Sequence, residues 1–152
     1  MKSSFFFTAL LALLSPCLFA EELEVGPESA GWGSLYDPPF KKPQEIPTSN
    51  PDRKKLFDML RPKLEKHAKQ PILFQGGLYA YRNWALFQGD TVDVNGDVIT
   101  FPDDGNSDTV ALWLNTAEGW KLVDYESGHT DVFYMIWIEK YGMPRKLLFR
   151  GE

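Results

Sequence analysis

The sequence predicts an α+β domain: an N-terminal helix packed on a curved antiparallel sheet of about four strands plus a hairpin, and a short C-terminal helix. Three observations carry this. Leu56, Phe57, Leu60, Leu64 and Ala68 repeat at helical spacing, which makes one apolar stripe. Four apolar and aromatic runs then follow in two pairs between Ile72 and Tyr125, each run short enough to be a strand. Last, the apolar segment Val132 to Tyr141 is followed by Gly142 and Pro144, both helix stop signals.

The elements follow in order. Residues 1–20 read as an export signal: Lys2 is the charged start, Phe5 to Leu14 the apolar core, and Ala20 the small residue before Glu21. That core is shorter than the roughly 20 residues of a membrane span. Cys17 raises a lipoprotein alternative, although Pro16 before it is unlike the small residue such a site takes. Residues 21–50 read as an irregular Pro-rich arm, because Pro27, Pro38, Pro39, Pro43 and Pro47 forbid long helices and central strands. Its Trp32 and Tyr36 are candidate binding residues, since exposed aromatic side chains favour interfaces.

Residues 51–152 form the single α+β domain. Asn50 is the expected N-cap of the first helix, with Pro51 at its first position and Asp52 at its positive end. Pro62 lies inside this span and should bend or break the helix on the side away from the stripe. His67 near the helix end reads as a surface or capping residue. Ile72 to Tyr81 and Trp84 to Gln88 read as strands around the Arg82-Asn83 turn, with a bend at Gly76-Gly77. Thr109 to Leu114 and Trp120 to Tyr125 form the second pair. Between the pairs, Asn95-Gly96 signals an extra hairpin with arms Thr91 to Val94 and Asp97 to Phe101. The closing helix starts at a cap on Thr130 or Asp131 and ends at Gly142.

Composition excludes several functions. Cleavage after Ala20 removes Cys17, and the remaining 132 of 152 residues have no disulfide, no thiolate nucleophile and no Cys-ligated metal. Removing Lys2 from 16 basic residues leaves 15 against 21 acidic ones, a net charge of −6. An acidic chain without a basic cluster is a poor partner for nucleic acid or an anionic membrane. The expected chain is therefore periplasmic or secreted, with no stable membrane insertion after cleavage, no cofactor, and an unknown protein or small ligand as partner.

Two clusters invite a chemical reading. Asp93, Asn95, Asp97 and Asp104 have the spacing of a calcium loop. Val98 stands where such a loop needs Gly, and Asp104 where it needs a bidentate Glu, so these are weak metal candidates and the structural hairpin is preferred. Asp124, Glu126, His129 and Asp131 lie close together, and a His beside carboxylates can act as a general base. Helix capping is preferred there, because no nucleophile stands at a recognised spacing. Only His67 and His129 are present, too few for a multi-His metal site. The Walker, zinc-protease and dinucleotide motifs are absent.

Gly119-Trp120, Asp124-Tyr125, Gly128, Thr130-Asp131-Val132, Trp137, Tyr141-Gly142 and Pro144, with Pro51-Asp52-Arg53 and Trp84-Ala85, resemble a family of small exported bacterial proteins of unknown function. The resemblance spans residues 50–148 and brings no catalytic residues with it. A helix before a curved antiparallel sheet is also similar to the cystatin and nuclear-transport-factor-two-like shape, which hosts enzymes, inhibitors and binding domains alike. In that shape the ligand site lies between helix and sheet. Regular alternation puts Asp124 on the strand face of Trp120 and Leu122. The expected function is a non-catalytic binding or interaction domain, of which an inhibitor or immunity-type protein is one form, with Trp84, Trp120 and Tyr125 as further binding candidates. The alternative is a cone-fold enzyme with acid-base chemistry at Asp124 and His129.

Overall fold

The structure, a computed structural model, describes residues 40–101, 107–128 and 133–149. It is α+β: one five-stranded antiparallel sheet and two helices. The strands are β1 (Phe40–Glu45), β2 (Leu73–Arg82), β3 (Trp84–Val92), β4 (Asp108–Thr116) and β5 (Gly119–Ser127). They lie side by side in chain order, so β1 and β5 are the edges. Helix α1 (Pro51–Ala68) joins β1 to β2, and α2 (Phe133–Tyr141) follows β5, with a short 3₁₀ turn at Arg145–Leu147.

α1 starts where the local chemistry supplies partners for its free N–H groups. Asn50 is extended, and its side-chain oxygen accepts the Asp52 N–H at 2.9 Å. The stripe Leu56, Phe57, Leu60 and Leu64 is buried against the sheet. Burying each such leucine contributes about 1.5–3 kcal/mol. Two arginines fasten the same helix to strand and loop carbonyls. Arg53 donates to the oxygens of Ile46 (2.8 Å) and Gly76 (3.1 Å), and Arg61 donates to the oxygen of Ile72. Of the two outcomes expected at Pro62, a bend or a break, the break does not occur: α1 runs unbroken through it. Pro62 is exposed, so water can serve the carbonyl that loses its helical donor.

The sheet is covered on both faces. On the α1 face the core holds Phe57, Leu78, Phe87, Ala111 and Trp113, with Ile99 and Phe101 from the β3–β4 connection. Phe57 stacks on Phe74 at 4.5 Å and meets Phe87 edge-on at 5.1 Å. On the α2 face Trp84, Leu86, Val110, Leu112 and Leu114 pack against Trp137, Tyr141, Met143 and Leu147. Strand positions alternate between these two cores, as a period of two requires.

Two further expectations are corrected. Residues 40–45 belong to the sheet and not to an irregular arm. Pro43 is compatible with this because β1 is an edge strand, and the register shifts between Phe40 and Gln44. The extra hairpin around Asn95-Gly96 is shorter than expected: its arms meet at one bridge, Val92 to Val98, flanked by the Asp93 N–H to Asp97 oxygen bond at 2.8 Å and the Ile99 N–H to Thr91 oxygen bond at 2.9 Å. β3 already extends to Val92, and Ile99 and Phe101 turn into the α1-side core instead of forming a second strand.

Close backbone approach explains one glycine pair. Gly76 and Gly89 face each other across β2 and β3. A Cβ on Gly89 would sit 2.2 Å from the Gln75 oxygen and 2.6 Å from the Gly76 Cα.

Candidate functional site

β5 carries the residues of interest, and its register decides what they can do. β4 pairs regularly with β5 from Thr109–Ser127 to Leu112–Asp124, then shifts so that Trp113 pairs with Leu122. Val123 is thus an extra residue, a β-bulge. Its effect is to change the parity of the strand. Leu122 lies opposite Trp113 of the α1-side core, whereas Asp124 lies opposite Leu112 of the α2-side core. The expectation that Asp124 shares a face with Trp120 and Leu122 is therefore overturned.

On the α2 face, the Asp124 carboxylate gathers three donors. Oδ1 accepts the Tyr125 backbone N–H at 2.9 Å. Oδ2 accepts the Tyr141 hydroxyl at 2.9 Å and the Trp137 indole N–H at 3.2 Å. Trp137 and Tyr141 are four residues apart on α2, so one helical face presents both donors to one carboxylate. Tyr141 is 8% exposed and Trp137 1%. Burial pushes the Tyr141 hydroxyl above its ordinary value of 10.0; Asp124 adds to the shift and Lys140 opposes it. Nearby, Gln88 of β3 donates to the Tyr134 hydroxyl at 2.7 Å. The chemistry of this arrangement is retention: a half-buried carboxylate whose two oxygens are occupied holds α2 to the sheet edge.

On the α1 face the aromatic residues of β5 form a seam with α1 and β1. Trp120, Leu122 and Tyr125 are half-buried and pack against the core. The Phe40 ring of β1 lies 6.3 Å from that of Trp120, and the Lys63 ammonium lies 5.9 Å from the Tyr125 ring. Trp84 does not join them. It is 7% exposed and sits in the opposite core, so the binding candidates Trp84, Trp120 and Tyr125 do not make one surface. Beneath the seam, Leu56, Leu60, Phe87 and Trp113 lie buried between α1 and the sheet, each 0% exposed.

The acidic turn has its own internal use. Asp93 Oδ1 accepts the N–H groups of Asn95 (2.8 Å) and Asp97 (2.9 Å), and Asp93 Oδ2 accepts the Asn95 side-chain amide. The Asp97 N–H holds the Asp93 carboxyl below its ordinary 3.8, against a weaker opposing effect of desolvation and with help from the Asn95 and Gly96 contacts. A carboxylate committed to two backbone donors shapes a turn. Among the described residues no group of three or more His, Cys, Asp or Glu side chains could hold a metal ion.

Trp32, Tyr36, Asp104, His129 and Asp131 lie outside the described residues. Gly142 ends α2 in the left-handed region at φ 70°, and its N–H reaches the Ile138 oxygen at 3.1 Å. His67 is exposed and lies 5.0 Å from the Phe101 ring. Sequence reasoning missed Trp137 and Tyr141 as partners of Asp124. Their spacing was visible; the carboxylate that meets them was not. No family model matches the chain, and no curated protein or solved structure matches it significantly.

Proposed function

We propose that this chain is a non-catalytic, exported binding domain that recognises a protein partner through the α1–β5 seam, in the manner of an inhibitor or immunity-type protein. The observation that carries this is the half-buried row Phe40, Trp120, Leu122 and Tyr125 over a buried apolar core. Aromatic side chains with one side packed and one side in water supply large contact area at low entropic cost, which favours interfaces.

The Phe40–Trp120 contact also supports the cystatin-like shape. In a flat sheet, β1 and β5 would stand about 19 Å apart, four ladder spacings. Rings from these strands that meet at 6.3 Å require the sheet to curl toward α1. The acid-base alternative at Asp124 and His129 gains no support, because both Asp124 oxygens already accept hydrogen bonds from the chain itself. Export rests on the signal-like residues 1–20. Among the described residues no helix is long and apolar enough to cross a membrane.

The test is site-specific photocrosslinking in the native compartment. A crosslinker at position 120 or 125 should give a discrete adduct, and one at exposed Gln75 on β2 should not. Adduct yield should fall when Phe40→Ala is combined with the position-125 probe. Equal or absent adducts at all three positions would refute the seam as the recognition surface.

A further inference from the structure

We propose that Asp124 is an edge guard: it keeps β5 closed to pairing with a second copy of this chain, and the same carboxylate holds α2. The direction of each backbone group follows from the ladder. Ala117 and Glu118 form a two-residue loop, so Thr116 and Gly119 are its closing hydrogen-bonded pair. Alternation along β4 then aims the backbone groups of Leu112 and Val110 at β5, and the Gly128 N–H bonded to the Asp108 oxygen at 2.7 Å continues the same series. Asp124 and Glu126, their partners, bond to β4. Tyr125 between them aims its N–H at the outer edge. That outward donor is the one Asp124 Oδ1 accepts.

An unpaired edge donor is a template for another strand. Here it is closed by the carboxylate that also receives Trp137 and Tyr141. One side chain therefore links the edge to the helix.

The β5 sequence names the strand it would pair with. Set antiparallel to a second β5, Leu122 falls opposite Tyr125 of the other copy, and both point their backbone groups outward. Lys121 falls opposite Glu126 of the other copy, and both lie on the α2 face, as their partners Leu114 and Val110 show. That register is complementary in charge and in face. It also sets Asp124 of each copy opposite Val123 of the other, which leaves the two carboxylates as diagonal neighbours across the centre, so the residue that closes the edge also opposes pairing by like charge.

Three variants and two readings test this: residue-resolved hydrogen exchange, and sedimentation velocity over a concentration series. In the unaltered chain the Tyr125 amide should be protected although it lies on an open edge. Asp124→Ala should speed its exchange about tenfold, one hydrogen bond's worth, and should produce a concentration-dependent dimer. Adding Glu126→Lys should abolish that dimer by setting like charges opposite Lys121. Asp124→Asn keeps one acceptor for Tyr125 but loses the second for α2. It should speed exchange of the Trp137 indole N–H, leave the Tyr125 amide protected and stay monomeric. An unprotected Tyr125 amide in the unaltered chain overturns the proposal, even if Asp124→Ala does not fold. So does a folded Asp124→Ala that stays monomeric throughout, or a dimer indifferent to Glu126→Lys.

Discussion

Tyr141→Phe isolates one link of the α2 latch. The substitution removes the hydroxyl that donates to Asp124 Oδ2 at 2.9 Å and leaves the ring in the core with Trp137 and Leu112. A hydrogen bond to a charged group is worth about 1.5–3 kcal/mol. Asp124 is half-buried, so water can replace part of the loss, and about 1–2 kcal/mol of destabilisation is expected. The variant should also change the alkaline limb of stability. The hydroxyl is held above its ordinary 10.0 in the folded chain, so the unfolded chain releases its proton first as pH rises. The contribution is thus fully present below pH 10.0 and is lost as pH climbs through the folded value. Urea melts at neutral pH and between pH 9 and 11 measure both effects, where about 11 is the practical upper limit for the tyrosine range. Tyr141→Phe should be weaker at neutral pH and should lose less stability on the alkaline side. Equal midpoints at neutral pH would refute the claim that the Asp124 bond holds α2 in place.

Other expectations follow from the same geometry. Gly89→Ala forces a Cβ to within 2.2 Å of a backbone oxygen, so β2 and β3 must separate; a loss of about 2–4 kcal/mol in a urea melt is expected, from strain and weakened ladder bonds. For Asp93, an NMR titration should place the carboxyl midpoint below 3.8, and any stability it contributes is present above 3.8 and lost as pH falls through the folded value. Calorimetry should show no saturable calcium binding tighter than the roughly 10⁻⁴ M of weak extracellular modules, because Asp93 Oδ1 already serves two backbone N–H groups. Intact-mass analysis of exported protein should find a start near Glu21, without Cys17 and without lipid; an acylated Cys17 would overturn the cleavage expectation.

Much of the strand framework can be read locally, because its causes are local. The Arg82-Asn83 break separates two apolar runs, and the β2–β3 ladder closes on either side of it at the pair Tyr81–Trp84. Gly119 closes the β4–β5 loop at φ 106°, a conformation glycine adopts without strain. α2 illustrates a limit. Val132 to Ile138 is apolar on every side, so periodicity could not name its buried face; Trp137 is 1% exposed, while Met135 and Ile136 stay in water.

By itself the sequence determined the α+β class, the runs that become strands, and the local chemistry at turns and helix ends. Those depend on residue types within a few positions of one another. Tertiary structure decided three other things. Phe40–Glu45 joined the sheet because an edge strand tolerates Pro43, and an edge exists only once the strand order is set. Pro62 stayed inside a continuous helix because its side faces solvent while Leu60 and Leu64 face the core. Asp124 moved to the α2 face because one extra residue, Val123, entered the β4–β5 ladder. A bulge is a property of two strands paired in register, so no reading of β5 alone could place the carboxylate. That one-residue shift is what turns Asp124 from an inward-facing candidate acid into the acceptor that holds a helix and closes an edge.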